Sequence, residues 1–185
     1  NCILNYGNKE AWEYVYNLLS NYIEELDLGC YRQDFNVELT EFFKQNDEPD
    51  RRGITEIKHI MGMYDLWDKL LQKHSGLLID NCASGGRRFD IETLKRSIAF
   101  FRSDYFCNYT ADPEVIQVEN NASKYLPYGG ACNKVMDKYC LRSSYASSFG
   151  YMGWSREYMK MSEDDFITLK SVCDEYRRIR QYFSK

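Results

Sequence analysis

Short apolar runs that stop abruptly at polar, chemistry-bearing residues recur along this chain, with amphipathic stretches between them. Cys30-Tyr31-Arg32-Gln33-Asp34-Phe35, Leu77-Leu78-Ile79 closing on Asp80-Asn81-Cys82, and Ala99-Phe100-Phe101 leading into Arg102-Ser103-Asp104 each have the length and composition of a strand. A further strand is predicted at Phe149–Trp154, and Leu126–Cys132 reads either as a glycine-interrupted strand or as a loop. The first helix is capped by Asn8, carries Trp12, Val15, Leu19, Tyr22, Ile23 and Leu26, and has Gly29 placed to end it. After a polar loop over Lys44–Gly53, a long helix carries Ile57, Ile60, Met61, Tyr64, Trp67 and Leu71 and ends near Ser75-Gly76. Asp90 caps a short helix expected to turn Ile91, Leu94 and Ile98 inward. Asp112-Pro113 opens a helix to about Tyr125, a short helix fits Cys140–Ser148, and Ser162 with Asp165 starts a last one through Phe166, Leu169, Val172, Cys173, Tyr176 and Ile179.

Strands and helices thus alternate about every 30 residues, close to one-eighth of a roughly 250-residue barrel. The fold class this predicts is α/β with parallel strands. Residues 1–185 hold about five and a half such units, roughly units 3 to 8 of a partial (β/α)8 TIM barrel. A doubly wound sheet would call for a glycine-rich nucleotide loop after an early strand, and no G-x-G-x-x-G or P-loop pattern occurs.

Composition narrows the function classes. With 24 Lys plus Arg against 28 Asp plus Glu, the net charge of −4 offers no basic field, so nucleic acid is not an expected partner. No apolar run reaches a bilayer-spanning length, and no membrane partner is expected. Seven cysteines without a C-x-x-C pair, and only His59 and His74, argue for reduced, mostly buried thiols rather than zinc or a disulfide framework. Aromatics at 16% fit a sugar-binding cleft as well as an ordinary core.

Asp34 and Asp104 both fall at the carboxyl ends of predicted strands, and in a barrel such ends converge on one mouth. Two converging carboxylates are what glycoside hydrolysis needs, one attacking as a nucleophile and one releasing the aglycone as an acid. Arg32 shares a strand face with Asp34 and would favour its charged form. Asp104, among Phe100, Phe101, Tyr105 and Phe106, is suited by desolvation to hold a proton, although Arg102 works the other way. Spacing alone equally allows both aspartates to be strand-end residues paired to arginines.

The run Ile79-Asp80-Asn81-Cys82-Ala83-Ser84-Gly85-Gly86-Arg87, with Tyr31-Arg32-Gln33-Asp34-Phe35-Asn36 before it and Arg102-Ser103-Asp104 after it, resembles the microbial α-galactosidases of glycoside hydrolase family 36, the melibiase family. The resemblance implies a retaining glycoside hydrolase that cleaves terminal α-galactosides through a covalent glycosyl-enzyme. By the same resemblance Asp34 is the nucleophile and Asp104 the acid/base, and Arg32, Asn36, Cys82, Ser84, Gly85, Gly86 and Phe101 contact the sugar. No metal or cofactor is implied, and the partner is an α-galactoside oligosaccharide or glycoside. Arg32 stands where a lysine is usual, in a motif that often reads Lys-Trp-Asp, and Phe101 where a tryptophan is usual. A degenerate, non-catalytic galactoside-binding protein, an α-N-acetylgalactosaminidase and a transglycosylase are the alternatives on the same site. The family's full enzymes carry flanking β domains and first barrel strands, which residues 1–185 are expected to lack. A cytoplasmic location and a homo-oligomeric full-length protein complete the expectations.

Overall fold

The computed structural model describes residues 3–100, 113–121, 125, 130–133, 135–146, 148–151 and 160–183. They fall into two units, one of residues 1–81 with 90–97, the other of residues 82–89 with 98–185.

In the first unit, helix α1 spans Lys9–Glu25, strand β1 Cys30–Asp34, helix α2 Thr40–Asn46 and helix α3 Ile54–Lys73, and strand β2 begins at Leu78 and runs to Cys82. Asn8 caps α1 as expected, its side chain accepting from the Ala11 amide at 3.0 Å. The core gathers Ile23, Met63, Leu66, Trp67, Leu70, Leu77 and Ile79. Leu66, Trp67 and Leu70 are wholly buried, each worth about 1.5–3 kcal/mol relative to exposure. Polar bonds mark both ends of the α1–α3 contact. The Trp12 indole donates to the Gly62 carbonyl at 2.9 Å, and Lys73 Nζ donates to Ser20 Oγ at 2.7 Å. Contacts that ascend together on both helices mean that α1 and α3 run the same way. So do the strands: Leu78 N bonds the carbonyl of Gly29, just ahead of β1, while mid-strand Arg32 meets mid-strand Asp80. Paired parallel strands with a helix between them are the β/α repeat that the sequence spacing predicts.

Several local expectations change. Asp27, not Gly29, takes the left-handed conformation after α1 (φ 49°), and the helix already ends at Glu25. Tyr22 and Leu26 stand outside, and so do Ile57 and Met61 of α3. The buried face of α3 is instead His59, Met63, Leu66, Trp67 and Leu70. His59 heads that face because its ring stacks on Tyr6 (centroids 5.1 Å apart) and packs against Phe43 (5.4 Å), a polar residue in a place where an apolar one is looked for. Within the expected polar loop, residues 44–46 belong to α2, a helix without a side-chain cap or a buried residue. Helix α4, Ile91–Leu94, starts at Asp90 as expected, but the capping box made by Asp90 and Thr93 turns Thr93 inward and leaves Ile91 77% exposed.

The second unit contains helix α5 at Pro113–Asn120, strand β3 at Gly130–Asn133, helix α6 at Lys138–Ser143, strand β4 at Ser148–Tyr151 and helix α7 at Glu163–Ile179. Strands β3 and β4 pair in parallel with Gly130 opposite Ser148 and Asn133 opposite Tyr151, so Gly130–Asn133 is strand rather than loop. Helix α6 starts earlier and stops earlier than the 140–148 expected, because the Asp137 carboxylate caps it by accepting from the Tyr139 and Cys140 amides. Ser162 and Asp165 form the expected capping box of α7. The rings of Tyr145, Phe149, Tyr176 and Phe183 cluster, with Tyr145 and Tyr176 donating to the carbonyls of Val172 and Ala146. Burial, then the charge of Glu175, pushes the Tyr145 hydroxyl up to about 12. The expected strand near residue 100 falls mostly on residues 101–104, outside the described residues.

Candidate active site

A strand places successive side chains on opposite faces, and β1 uses both. Arg32 and Asp34 share the exposed face; Gln33 between them is buried. The guanidinium of Arg32 is divided between two carboxylates. Its Nη1 donates to Oδ2 of Asp80 on β2, and its Nη2 stands 3.4 Å from Oδ2 of Asp34. The exposures show which partner anchors and which is offered: the Asp80 side chain is 7% exposed and that of Asp34 39%. A buried carboxylate therefore holds the arginine, and the arginine braces an open carboxylate at the end of its strand. Nearby, burial and the negative charge of Asp80 push the Cys30 thiol up.

On the opposite face, Gln33 Oε1 accepts from the Trp67 indole at 2.7 Å and lies 3.4 Å from the Tyr31 hydroxyl. The sequence alone pairs neither Asp80 with Arg32 nor Gln33 with Trp67. A signal was nonetheless present: an aspartate inside an otherwise buried strand run needs a cation, and Arg32 is the one that β1 supplies.

The Cys82–Phe89 segment belongs to the second unit. Cys82 ends β2 and is buried. Ser84 (φ 46°) and Gly85 (φ 74°) both adopt the left-handed conformation, so the chain reverses sharply and Ala83 N donates to the Gly85 carbonyl at 3.1 Å. Gly86 instead bridges to Ala83. Of the expected pair of glycines, Gly85 is the one whose conformation demands the residue type. Asn36 is exposed just beyond β1. Asp104 and Phe101 lie outside the described residues, as do Arg102 and Ser103.

Cys30, Cys82, Cys140 and Cys173 lie outside any disulfide, and of these only Cys82 is buried, where mostly buried thiols are expected. Among the described residues no group of three or more His, Cys, Asp or Glu is arranged to hold a metal ion. No described helix is long and apolar enough to cross a membrane. A cavity of about 440 Å³ opens beside Leu28, Gly29, Gly76 and Leu77, at the start of β1 and β2 and thus at the opposite end from Asp34.

A family model described as Melibiase matches residues 1–185. The chain belongs to the melibiase family. Alpha-galactosidase Mel36A of Lactobacillus acidophilus is 21% identical to this chain over 189 aligned residues, covering 97% of the chain and 25% of that protein. Alpha-galactosidase 1 of Pediococcus pentosaceus is 20% identical over 96% of the chain and 25% of its own length. Among solved structures, an alpha-galactosidase from Lactobacillus brevis matches 98% of the chain and 25% of its own with a TM-score of 0.79 at 23% identity. The GH36 alpha-galactosidase AgaA of Geobacillus stearothermophilus gives 0.75 at 21% identity, over 98% of the chain and 26% of its own. The chain shares the fold of these structures. Residues 1–185 span about a quarter of the length of the curated relatives they match.

Proposed function

We propose that residues 1–185 form part of the (β/α)8 catalytic barrel of a retaining α-galactosidase, in which Asp34 attacks the anomeric carbon and Asp104 serves as general acid and then base. The observation that carries this reading is a spacing. The Geobacillus stearothermophilus AgaA structures with stachyose and with raffinose each carry a substitution of an aspartate, and those two aspartates lie 70 positions apart. Asp34 and Asp104 are also 70 positions apart. The geometry adds to it: a nucleophilic carboxylate must be open to substrate yet fixed, and Asp34 is exposed at a strand end with Arg32 beside it.

The reaction this arrangement serves has two steps. Asp34 displaces the aglycone at the anomeric carbon while Asp104 donates the proton that the leaving oxygen needs. Water, deprotonated by Asp104, then releases galactose from Asp34. Cys82 and the Ser84-Gly85-Gly86 turn would lie along the sugar, with Asn36, Arg32 and Phe101 among the remaining contacts. The substrates are terminal α-galactosides of the raffinose and stachyose type.

The test is azide rescue in the full chain. Asp34→Ala should lose turnover and regain it with azide as the β-galactosyl azide, since an external anion fills the emptied nucleophile side. Asp104→Ala should give the α-azide from an accumulated glycosyl-enzyme. Near-unchanged rates in both variants would remove the assignment.

A further inference from the structure

Gln33 is the residue between the two charged members of the site, and its surroundings are unlike theirs. It is 7% exposed, and a primary amide taken from water is costly unless it finds hydrogen-bond partners. Its Oε1 is met by the indole N–H of Trp67 at 2.7 Å. Trp67 has no solvent exposure, and an indole is a donor only, so it too requires this bond. Each of the two groups thus supplies what the other's burial demands. The bond joins the middle of α3 to β1 one residue before Asp34.

We infer that Trp67 and Gln33 form a positioning pair, in which the α3 indole fixes the height of β1 and thereby the placement of the Asp34 carboxylate against the anomeric carbon. This rests on the assignment of Asp34 as nucleophile. The transmission is short and stiff. Residues 33 and 34 are joined by one planar peptide, with Cα atoms 3.80 Å apart in any trans unit, so a displaced Gln33 side chain that drags its backbone moves Asp34 with it. On the other face the Arg32 guanidinium already stands 3.4 Å from Asp34, a separation that a shift of a few tenths of an ångström would change noticeably. Covalent attack is sensitive to misplacement on that scale, about a hundredfold per ångström.

The pair replaces what an apolar residue would do at position 33. An apolar side chain packs against α3 in any of several rotamers. The amide–indole bond is directional and accepts one geometry within about 30°. This chain therefore sets its nucleophile strand through a hydrogen bond, and it depends on the tryptophan at position 67 to do so.

The experiment compares Trp67→Phe, Gln33→Met and the double variant in the full chain, with 4-nitrophenyl α-galactoside as substrate and Asp34→Ala as reference. Gln33→Met strands the Trp67 indole and Trp67→Phe leaves Gln33 Oε1 only the Tyr31 hydroxyl at 3.4 Å, and each should lower kcat about tenfold with KM changed less than about twofold, a rise of about 1.4 kcal/mol in the barrier. The double variant strands neither and should recover to within about threefold of the parent. Melting temperatures identify a variant that has lost its fold, and the double variant then decides. Single variants that lower Tm but keep the parental kcat would overturn the positioning role while leaving Asp34 as nucleophile. A double variant no better than the singles would overturn the coupling of the two residues. If Asp34→Ala itself keeps its rate, the proposed function fails first, and this inference with it.

Discussion

Gly62 offers a direct test of how α3 is seated, because two opposing effects there can be compared from structure. Replacing a mid-helix glycine with alanine ordinarily stabilises by about 1 kcal/mol through helix propensity. At this position a Cβ would overlap the Tyr6 carbonyl oxygen, stand 2.7 Å from the carbonyl carbon and 3.0 Å from the Tyr6 Cβ. Two of those three neighbours are backbone atoms, so the conflict cannot be relieved by a rotamer change. Either the 3–7 segment or the α3 backbone must move. Forced overpacking costs about 1–3 kcal/mol. The movement also strains the bonds that tie this place down, from the Trp12 indole to the Gly62 carbonyl and from the Tyr6 amide to His59 Nδ1, and each is worth about 1 kcal/mol. The clash wins, and Gly62→Ala should destabilise by about 2 kcal/mol, a fall in Tm of roughly 4–8 °C for a domain of this size. Differential scanning calorimetry on the full chain measures it. Gly29→Ala is the control, since a Cβ there meets nothing within 4 Å, and it should stay within about 0.5 kcal/mol of the parent. A Gly62→Ala protein that melts at or above the parental temperature would show that the close approach of Tyr6 to α3 is not what seats the helix.

Two further predictions concern charge. Asp80→Asn keeps the shape of the buried anchor but removes the charge that holds Arg32; because the Arg32 side chain is itself 42% exposed, the loss should be about 1–2 kcal/mol rather than the larger cost of a fully buried pair. An unchanged melting temperature would count against Asp80 as an anchor. Asp47 holds the start of α3 from outside the helix, its two oxygens accepting from the Gly53 and Thr55 amides at 2.6 and 2.9 Å, and bonds from the Thr55 side chain and these amides hold its carboxyl below the usual range. A depressed carboxyl contributes stability above its unfolded pKa of about 4 and loses it as pH falls through the lower, folded value. The protection of the residue 53 and 55 amides, measured against their intrinsic exchange rates, should therefore be high at neutral pH and fall in acid, whereas Asp47→Asn should show no such step.

What could be read from the sequence, and what could not, follows from which signals are local. Caps are local, and Asn8, Asp90 and Ser162 each sit where their side chains predict. The end of β2 is similarly plain, because the apolar run and the turn after it are contiguous. The buried face of α3 was harder, since His59 owes its burial to Tyr6 and Phe43, which are distant in sequence or on another helix. Helix α2 carries neither a cap nor a buried residue, and so gives a sequence reader nothing to find. In the site, the Arg32–Asp34 adjacency is legible because strands alternate. The commitment of Arg32 to Asp80, 48 residues away, needs the strand pairing that brings them together.

The polar bonds of Trp12 and Ser20 across the α1–α3 contact also decide something that apolar packing cannot. Trp12, Val15, Tyr16 and Leu19 pack against the core around Ile23, and such a face would find comparable contacts if α1 slid one turn along its partner. A slide of one turn is 5.4 Å. It would carry Ser20 away from Lys73 and from His74 Nε2, which lies 2.9 Å from its hydroxyl, and leave a side chain only 1% exposed without either partner. At the other end it would take the Trp12 indole off the Gly62 carbonyl. Ser20 and Trp12 thus act as index marks on a sliding scale. They make one register of the first β/α repeat far better than its neighbours, and because α3 carries Trp67 and hence β1, that choice of register is made before a substrate arrives.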